Sequence, residues 1–140
     1  MLAQQLADRG CPAQVHYLDL SQAARGIAQA RAAARKALDA GWDLNAPEPE
    51  RQFFYMPFEH SEDPDDQALA VKLMGERLAS DPDMVLHARA HQEVIRRYGR
   101  FPTRNAALGR TSTPEEQVYL DQGDYAALVK ALQKSHAPDA

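Results

Sequence analysis

The chain is punctuated three times in one way, by a capping residue followed by proline, at Asp63-Pro64, Asp81-Pro82 and Thr113-Pro114. A side-chain oxygen at the cap satisfies an orphan N–H of the first turn. Proline just inside the helix gives up only a donor that has no partner there. Each pair therefore predicts a helix start, and Thr113-Pro114-Glu115-Glu116 adds the spacing of a capping box. Gly41 and Gly99 stand where helices must stop. The connections left between these marks are short, so consecutive helices are expected to lie antiparallel, as hairpins. β-branched residues are few and never alternate over a useful length, so no strand is predicted. The expectation is an all-α fold in a single domain of 140 residues, large enough to bury a core.

Taken in order, "DLSQAARGIAQARAAARKALDAG" has a cap at Asp19 or Ser21 and then strong helix formers. Its stripe of Ile27, Ala30, Ala34 and Leu38 is thin enough for a neighbour to come close. Pro47 and Pro49 open "EPERQFFYMPF", which is apolar on every side around residues 53–56. That pattern predicts a short buried helix, kinked or ended by Pro57. In "PDDQALAVKLMGERLAS" the residues Gln67, Val71, Met74 and Leu78 share a stripe. In "PDMVLHARAHQEVIRRYG", at about 100° per residue, Met84, Ala88, Val94, Ile95 and Tyr98 flank His91. His87 falls about 40° to one side, while Arg89, Glu93 and Arg96 face solvent. "PEEQVYLDQG" and "DYAALVKALQKS" predict two closing helices, and "HAPDA" is expected to fray.

Three groups of residues invite a functional reading. Glu59, His60, Glu62 and Asp63 crowd one turn, and charges of this density cannot all be buried without partners. Asp63 serves as a helix cap, and Glu62 is favoured by the dipole of the same helix. Glu59 and His60 have no such local task. They read either as a structural ion pair or as an acid–base pair. His87 and His91, four apart on one face, read either as hydrogen-bonded core histidines or as metal ligands. In "YGRFPTRNAALGR", Arg100, Arg104 and Asn105 project from a turn pinned by Phe101-Pro102. They serve to grip a carboxylate or phosphate, or to neutralise the acids of the preceding segment.

Charge and composition exclude other classes. A net charge of −4 and a pI near 5.7 argue against nucleic acid as the main partner. No window approaches the ~20 apolar residues of a membrane span. "MLAQQLADRGCPAQ" lacks the apolar stretch of a signal peptide. Cys11 is alone, which rules out an internal disulfide and a cysteine-based zinc site, and a cytoplasmic location is expected. There is no glycine-rich phosphate loop, nucleophile elbow or cysteine nucleophile.

"FFYMPFEHSEDPDDQ", "HQEVIRRYGRFPTRNAALGR" and "STPEE" together resemble the family called domain of unknown function 924. Pro57, Glu59, His60, Ser61, Glu62, Gln67, His91, residues 99–102, Arg104 and Asn105 fall at that family's motif positions. The resemblance covers roughly residues 23–120. It implies a TPR-like arrangement of helical hairpins and no particular reaction. Two places depart from the family pattern. Thr103 stands where histidine is usual, which removes any metal or acid–base role there. The stretch "MLAQQLADRGCPAQVHYLDLSQ" does not match the family's longer N-terminal region, with its aromatic segment and its second turn of the "GRFPTRN" kind.

The functional expectation is a binding or scaffold module with a polar pocket for a peptide or small anionic ligand. The pocket would be formed by Glu59, His60, Glu62, Gln67, His91, Arg100, Arg104 and Asn105, with no cofactor. The alternative is a hydrolytic enzyme using Glu59 or His60 as acid–base group, with or without a metal held by His60, His91 and a carboxylate. A third reading is a purely structural polar core. Glu59, His60, His91 and Arg104 are expected to converge on one cluster. Apolar surface is expected near Phe53, Phe54 and Tyr98. It predicts either a dimer formed close to the alanine-rich face of residues 23–38, or cover by residues 1–20 through Leu2, Leu6, Val15, Tyr17 and Leu18.

Overall fold

The computed structural model describes residues 20–48 and 50–136, with side chains from 26 to 135 apart from residue 49. Six α-helices are present among them and no strand: α1 Leu20–Asp39, α2 Met56–Glu59, α3 Pro64–Arg77, α4 Pro82–Tyr98, α5 Pro114–Gln122 and α6 Asp124–His136. Short 3-10 turns at Trp42–Asn45, Glu50–Phe54 and Pro102–Arg104 join them. None of these helices is long and apolar enough to cross a membrane. The expected caps at Asp19 and the tail after residue 136 lie outside the described residues.

The punctuation acts as local chemistry requires. Asp63 Oδ1 accepts from the Asp65 N–H at 2.8 Å, and Asp81 Oδ1 accepts from the Met84 N–H at 3.3 Å. Thr113 and Glu116 form both halves of a capping box. Gly99 ends α4 at φ 72°, a left-handed conformation that side chains avoid.

Helix α4 is the spine. Its Ala88 packs with Tyr55, Leu73, Met74 and Leu78 toward α2 and α3. Its Ala90, Val94 and Ile95 pack with Phe101, Tyr119 and Leu128 toward α5 and α6. The start of α3 (Pro64, Gln67) and the end of α4 (Gln92, Ile95, Arg96) border one depression, so α3 and α4 run antiparallel. On the other side Ala34 meets Phe58 and Ala70, where its small side chain lets α1 sit close.

Two expectations are corrected here. The stripe on α1 is buried only in its second half: Ala34 and Ala37 are covered, whereas Ile27 is 47% exposed. The aromatic segment is not one buried helix. It is a 3-10 turn followed by a single α turn, and Pro57 sits in the first turn of α2 instead of breaking a helix. Proline costs nothing at that place, because first-turn N–H groups have no helical partner. Tyr55 and Phe58 are fully buried, whereas Phe53 is 63% exposed. Asp43, which the sequence did not single out, anchors this region. It is fully buried, accepts from Tyr55 Oη at 2.6 Å and pairs with Arg77.

Candidate functional site

The acid–histidine turn that joins α2 to α3 is held from below by Gln67. Its amide nitrogen donates to the carbonyls of Glu59 and Ser61 at 2.5 and 2.6 Å. Ser61 Oγ accepts from the Asp63 N–H at 3.1 Å. With the backbone so fixed, Glu59 points inward and His60 outward.

His91 arrives from the middle of α4, and its Nδ1 lies 3.1 Å from Glu59 Oε1. The same nitrogen is 2.7 Å from the His87 carbonyl and 3.3 Å from Tyr125 Oη. A carbonyl can only accept, so Nδ1 carries the hydrogen and Nε2 keeps the free lone pair. The His60 and His91 rings are 5.4 Å apart. His87 is turned to Tyr125, with its Nδ1 2.8 Å from Oη.

Burial sets the electrostatics. It pushes the Glu59 carboxyl up to about 7. It also holds His60 below its ordinary value, helped by the Arg104 charge. His91 is lowered by burial, against the pull of the His87 carbonyl and with the help of the neighbouring cationic groups. Tyr125 is pushed up to about 12 by burial and by the charge of Glu59. All of these groups are driven toward their neutral forms.

Arg104 donates to the His60 carbonyl at 2.7 Å, and its guanidinium lies 4.5 Å from the centre of the Phe101 ring. The expected convergence of Glu59, His60, His91 and Arg104 is therefore present. Glu62 stands beside it but is engaged by Arg110, whose two terminal nitrogens donate at 2.8 and 3.0 Å. Glu62 also accepts from the Phe101 N–H at 3.2 Å. Burial raises this carboxyl, yet the Arg110 and Phe101 hydrogen bonds outweigh it and hold it below the usual range.

Arg100 and Asn105 are drawn elsewhere. Arg100 grips Glu116 through two nitrogens at 2.9 and 2.7 Å, and Asn105 donates to the same carboxylate at 3.1 Å. These two residues and Gln67 frame the turn, while Glu59, His60, His91 and Arg104 form its centre. Of the acids at the α2–α3 turn, Glu62 is thus neutralised by Arg110 and Asp63 meets Arg31, and neither is paired with Arg100. Sequence reasoning gave no part to Arg110 or Tyr125, and gave Glu116 only its place in the capping box. Gly109, at φ 64°, just before Arg110, repeats the Gly99-Arg100 pairing and was the one local signal.

Two adjoining depressions of about 310 and 290 Å³ open over this centre, and both include Ile27, His60 and Arg104. The first is otherwise apolar, with Phe53, Met56 and Pro57. The second is polar, with Arg31, Ser61 and Asp63.

A family model described as "Bacterial protein of unknown function (DUF924)" matches residues 17–124. A search of curated proteins gave no match. Among solved structures, the protein of unknown function ATU0120 from Agrobacterium tumefaciens is similar, with 38% identity and a TM-score of 0.64. The match covers 69% of this chain and 53% of that one, so the chain spans about half the length of that protein. With most of its length matched, and with the motif residues gathered around one turn, the chain belongs to the DUF924 family.

Proposed function

We propose that the domain is a ligand-binding module whose groove takes a small anion, or the carboxylate of a peptide, on Arg104. What supports this reading is the state of that guanidinium. Arg31 is taken by Asp66, Arg100 by Glu116 and Arg110 by Glu62. Arg104 has only Glu62, at 3.9 Å, and that carboxylate is already engaged by Arg110. Burial lowers the Arg104 pKa from its ordinary value, against the pull of Glu62. Its position is fixed by Phe101 and by the His60 carbonyl, so little order is lost when an anion docks. The TPR-like arrangement implied by the family resemblance adds a concave surface suited to peptides, an argument by fold analogy.

Calorimetric titration with inorganic phosphate, sulfate and a short peptide bearing a free carboxylate, all in EDTA, tests the reading. Saturable binding of at least one is expected. Arg104→Gln should weaken it roughly tenfold to a hundredfold, the loss of one charge-assisted hydrogen bond. Arg96→Gln, at an exposed ion pair with Glu93, should not change it. No binding, or equal binding by the Arg104 variant, would show the reading to be wrong. A second reading, hydrolysis with Glu59 or His60 as acid–base group, is favoured by the 3.1 Å approach of Glu59 to His91. Ester turnover lost in Glu59→Gln and kept in Arg96→Gln would establish it. We propose also that the apolar depression, with Ile27 and Phe53 exposed, pairs with a second copy of the chain.

A further inference from the structure

The Glu59 carboxylate is 5% exposed, and no lysine or arginine lies within 4.0 Å of it among the described residues. Its one side-chain partner there is His91, which already donates to the His87 carbonyl. A buried carboxylate without a cation is an unfavourable arrangement. Three further observations show what would relieve it. Glu59, His60 and His91 each offer a ligand atom, and these atoms all lie within 4.8 Å of one another. The His87 carbonyl holds the His91 hydrogen on Nδ1 and leaves Nε2 with its lone pair, the second-shell arrangement of metal-ligating histidines, and Glu59 Oε1, 3.1 Å from Nδ1, has to swing toward Nε2 to share an ion with it. The His60 ring makes no hydrogen bond to any described residue, so no existing bond has to break for it to act.

We propose that Glu59, His60 and His91 bind one first-row divalent cation, Zn²⁺ foremost, as a three-ligand site with a remaining position on the exposed His60 side. Two imidazoles and a carboxylate are a donor set suited to zinc, and three protein ligands leave the fourth position for water or an exogenous group. Ligands about 2.0–2.1 Å from a tetrahedral ion stand roughly 3.4 Å apart. The cluster must therefore tighten on binding. His60, which is exposed, and the Glu59 side chain, whose backbone alone is held by Gln67, are the members able to move, while His91 is fixed through the His87 carbonyl. The site goes beyond the anion reading and does not rest on it: Arg104 contributes no metal ligand, and the anion titration contains EDTA.

The test uses the full chain, free of any tag, stripped with EDTA and dialysed, then titrated with ZnCl₂ by calorimetry and with CoCl₂ by visible absorption. One equivalent of Zn²⁺ and a cobalt d–d band are expected. His60→Gln, at an exposed position, should weaken Zn²⁺ at least about tenfold while leaving the circular dichroism spectrum unchanged. Glu59→Gln and His91→Gln should do the same where they fold. Arg104→Gln should still take up one equivalent of Zn²⁺, which separates failure of this proposal from failure of the anion reading. No zinc heat and no cobalt band in the wild type would overturn the proposal. So would unchanged affinity in His60→Gln.

Discussion

At the scale of single residues, Gln67 shows how the site is supported. It is fully buried, and both of its donated bonds go to the turn that carries Glu59 and His60. Gln67→Ala leaves the Glu59 and Ser61 carbonyls without their buried donor. We expect it to cost about 2–6 kcal/mol, at 1–3 for each group left unsatisfied. Urea unfolding measures this directly, and a variant within about 0.5 kcal/mol of wild type would show that the turn holds itself. Its inward position was legible in the sequence, because it shares a stripe with Met74 and Leu78, which are also buried. Its bonding was not. Spacing along a helix says which way a side chain points, but not that its partners are two backbone carbonyls supplied by a preceding turn. The same limit hid Asp43, whose partners Tyr55 and Arg77 are brought to it only by packing.

At the scale of elements, the starts of α3, α4 and α5 were legible because cap chemistry is local and needs no tertiary contact. The segment around Phe53 was misread because an all-round apolar pattern says that something is covered, not which side chains are. The turn after α4 was expected to be pinned by Phe101-Pro102, and the side-chain bonds that hold it reach into α5. Glu116 completes the Thr113 capping box while accepting from Arg100 and Asn105, so one carboxylate ties the 100–113 segment to the helix that follows. The Arg100 hydrogen bond, opposed by burial and helped by the Thr113 N–H and Asn105, holds the Glu116 carboxyl far below its ordinary range. The sign follows from linkage. A carboxyl with a depressed folded-state pKa contributes stability that is present above the unfolded value and lost as pH falls toward the folded one. Stability should therefore decline on acidification below about pH 4.5, the ordinary glutamate value. Glu116→Gln should be less stable than wild type at pH 7, with the gap narrowing toward pH 3. Urea midpoints at pH 7, 5 and 3 check it, and a gap that stays constant would remove Glu116 as the source.

At the scale of the whole molecule, the polar centre and the apolar depression share one mouth at Ile27, His60 and Arg104. Tyr98, expected near exposed apolar surface, is half-buried against Tyr119 at the edge of the core, whereas Phe53 is 63% exposed. Ile27, Trp42 and Leu44 are also about half exposed. Of these, Ile27 and Phe53 line one depression, and exposed apolar patches are uncommon on monomers and mark an interface. A symmetric pair through this face places each Phe53 in the partner's depression, so one substitution acts twice. Burying the exposed part of a phenylalanine contributes about 1–2 kcal/mol. Phe53→Ser should therefore weaken the dimer by about 2–4 kcal/mol, at least a thirtyfold rise in its dissociation constant. Light scattering across a dilution series measures both proteins. A wild type that stays monomeric at every concentration would end the dimer proposal. The polar depression adds Arg31, Ser61 and Asp63 and shares Arg104 with the apolar one. A dimer seated in the apolar depression should therefore weaken phosphate binding at Arg104, which lines it, and phosphate affinity that stays constant across the monomer–dimer transition would place the two events on separate surfaces.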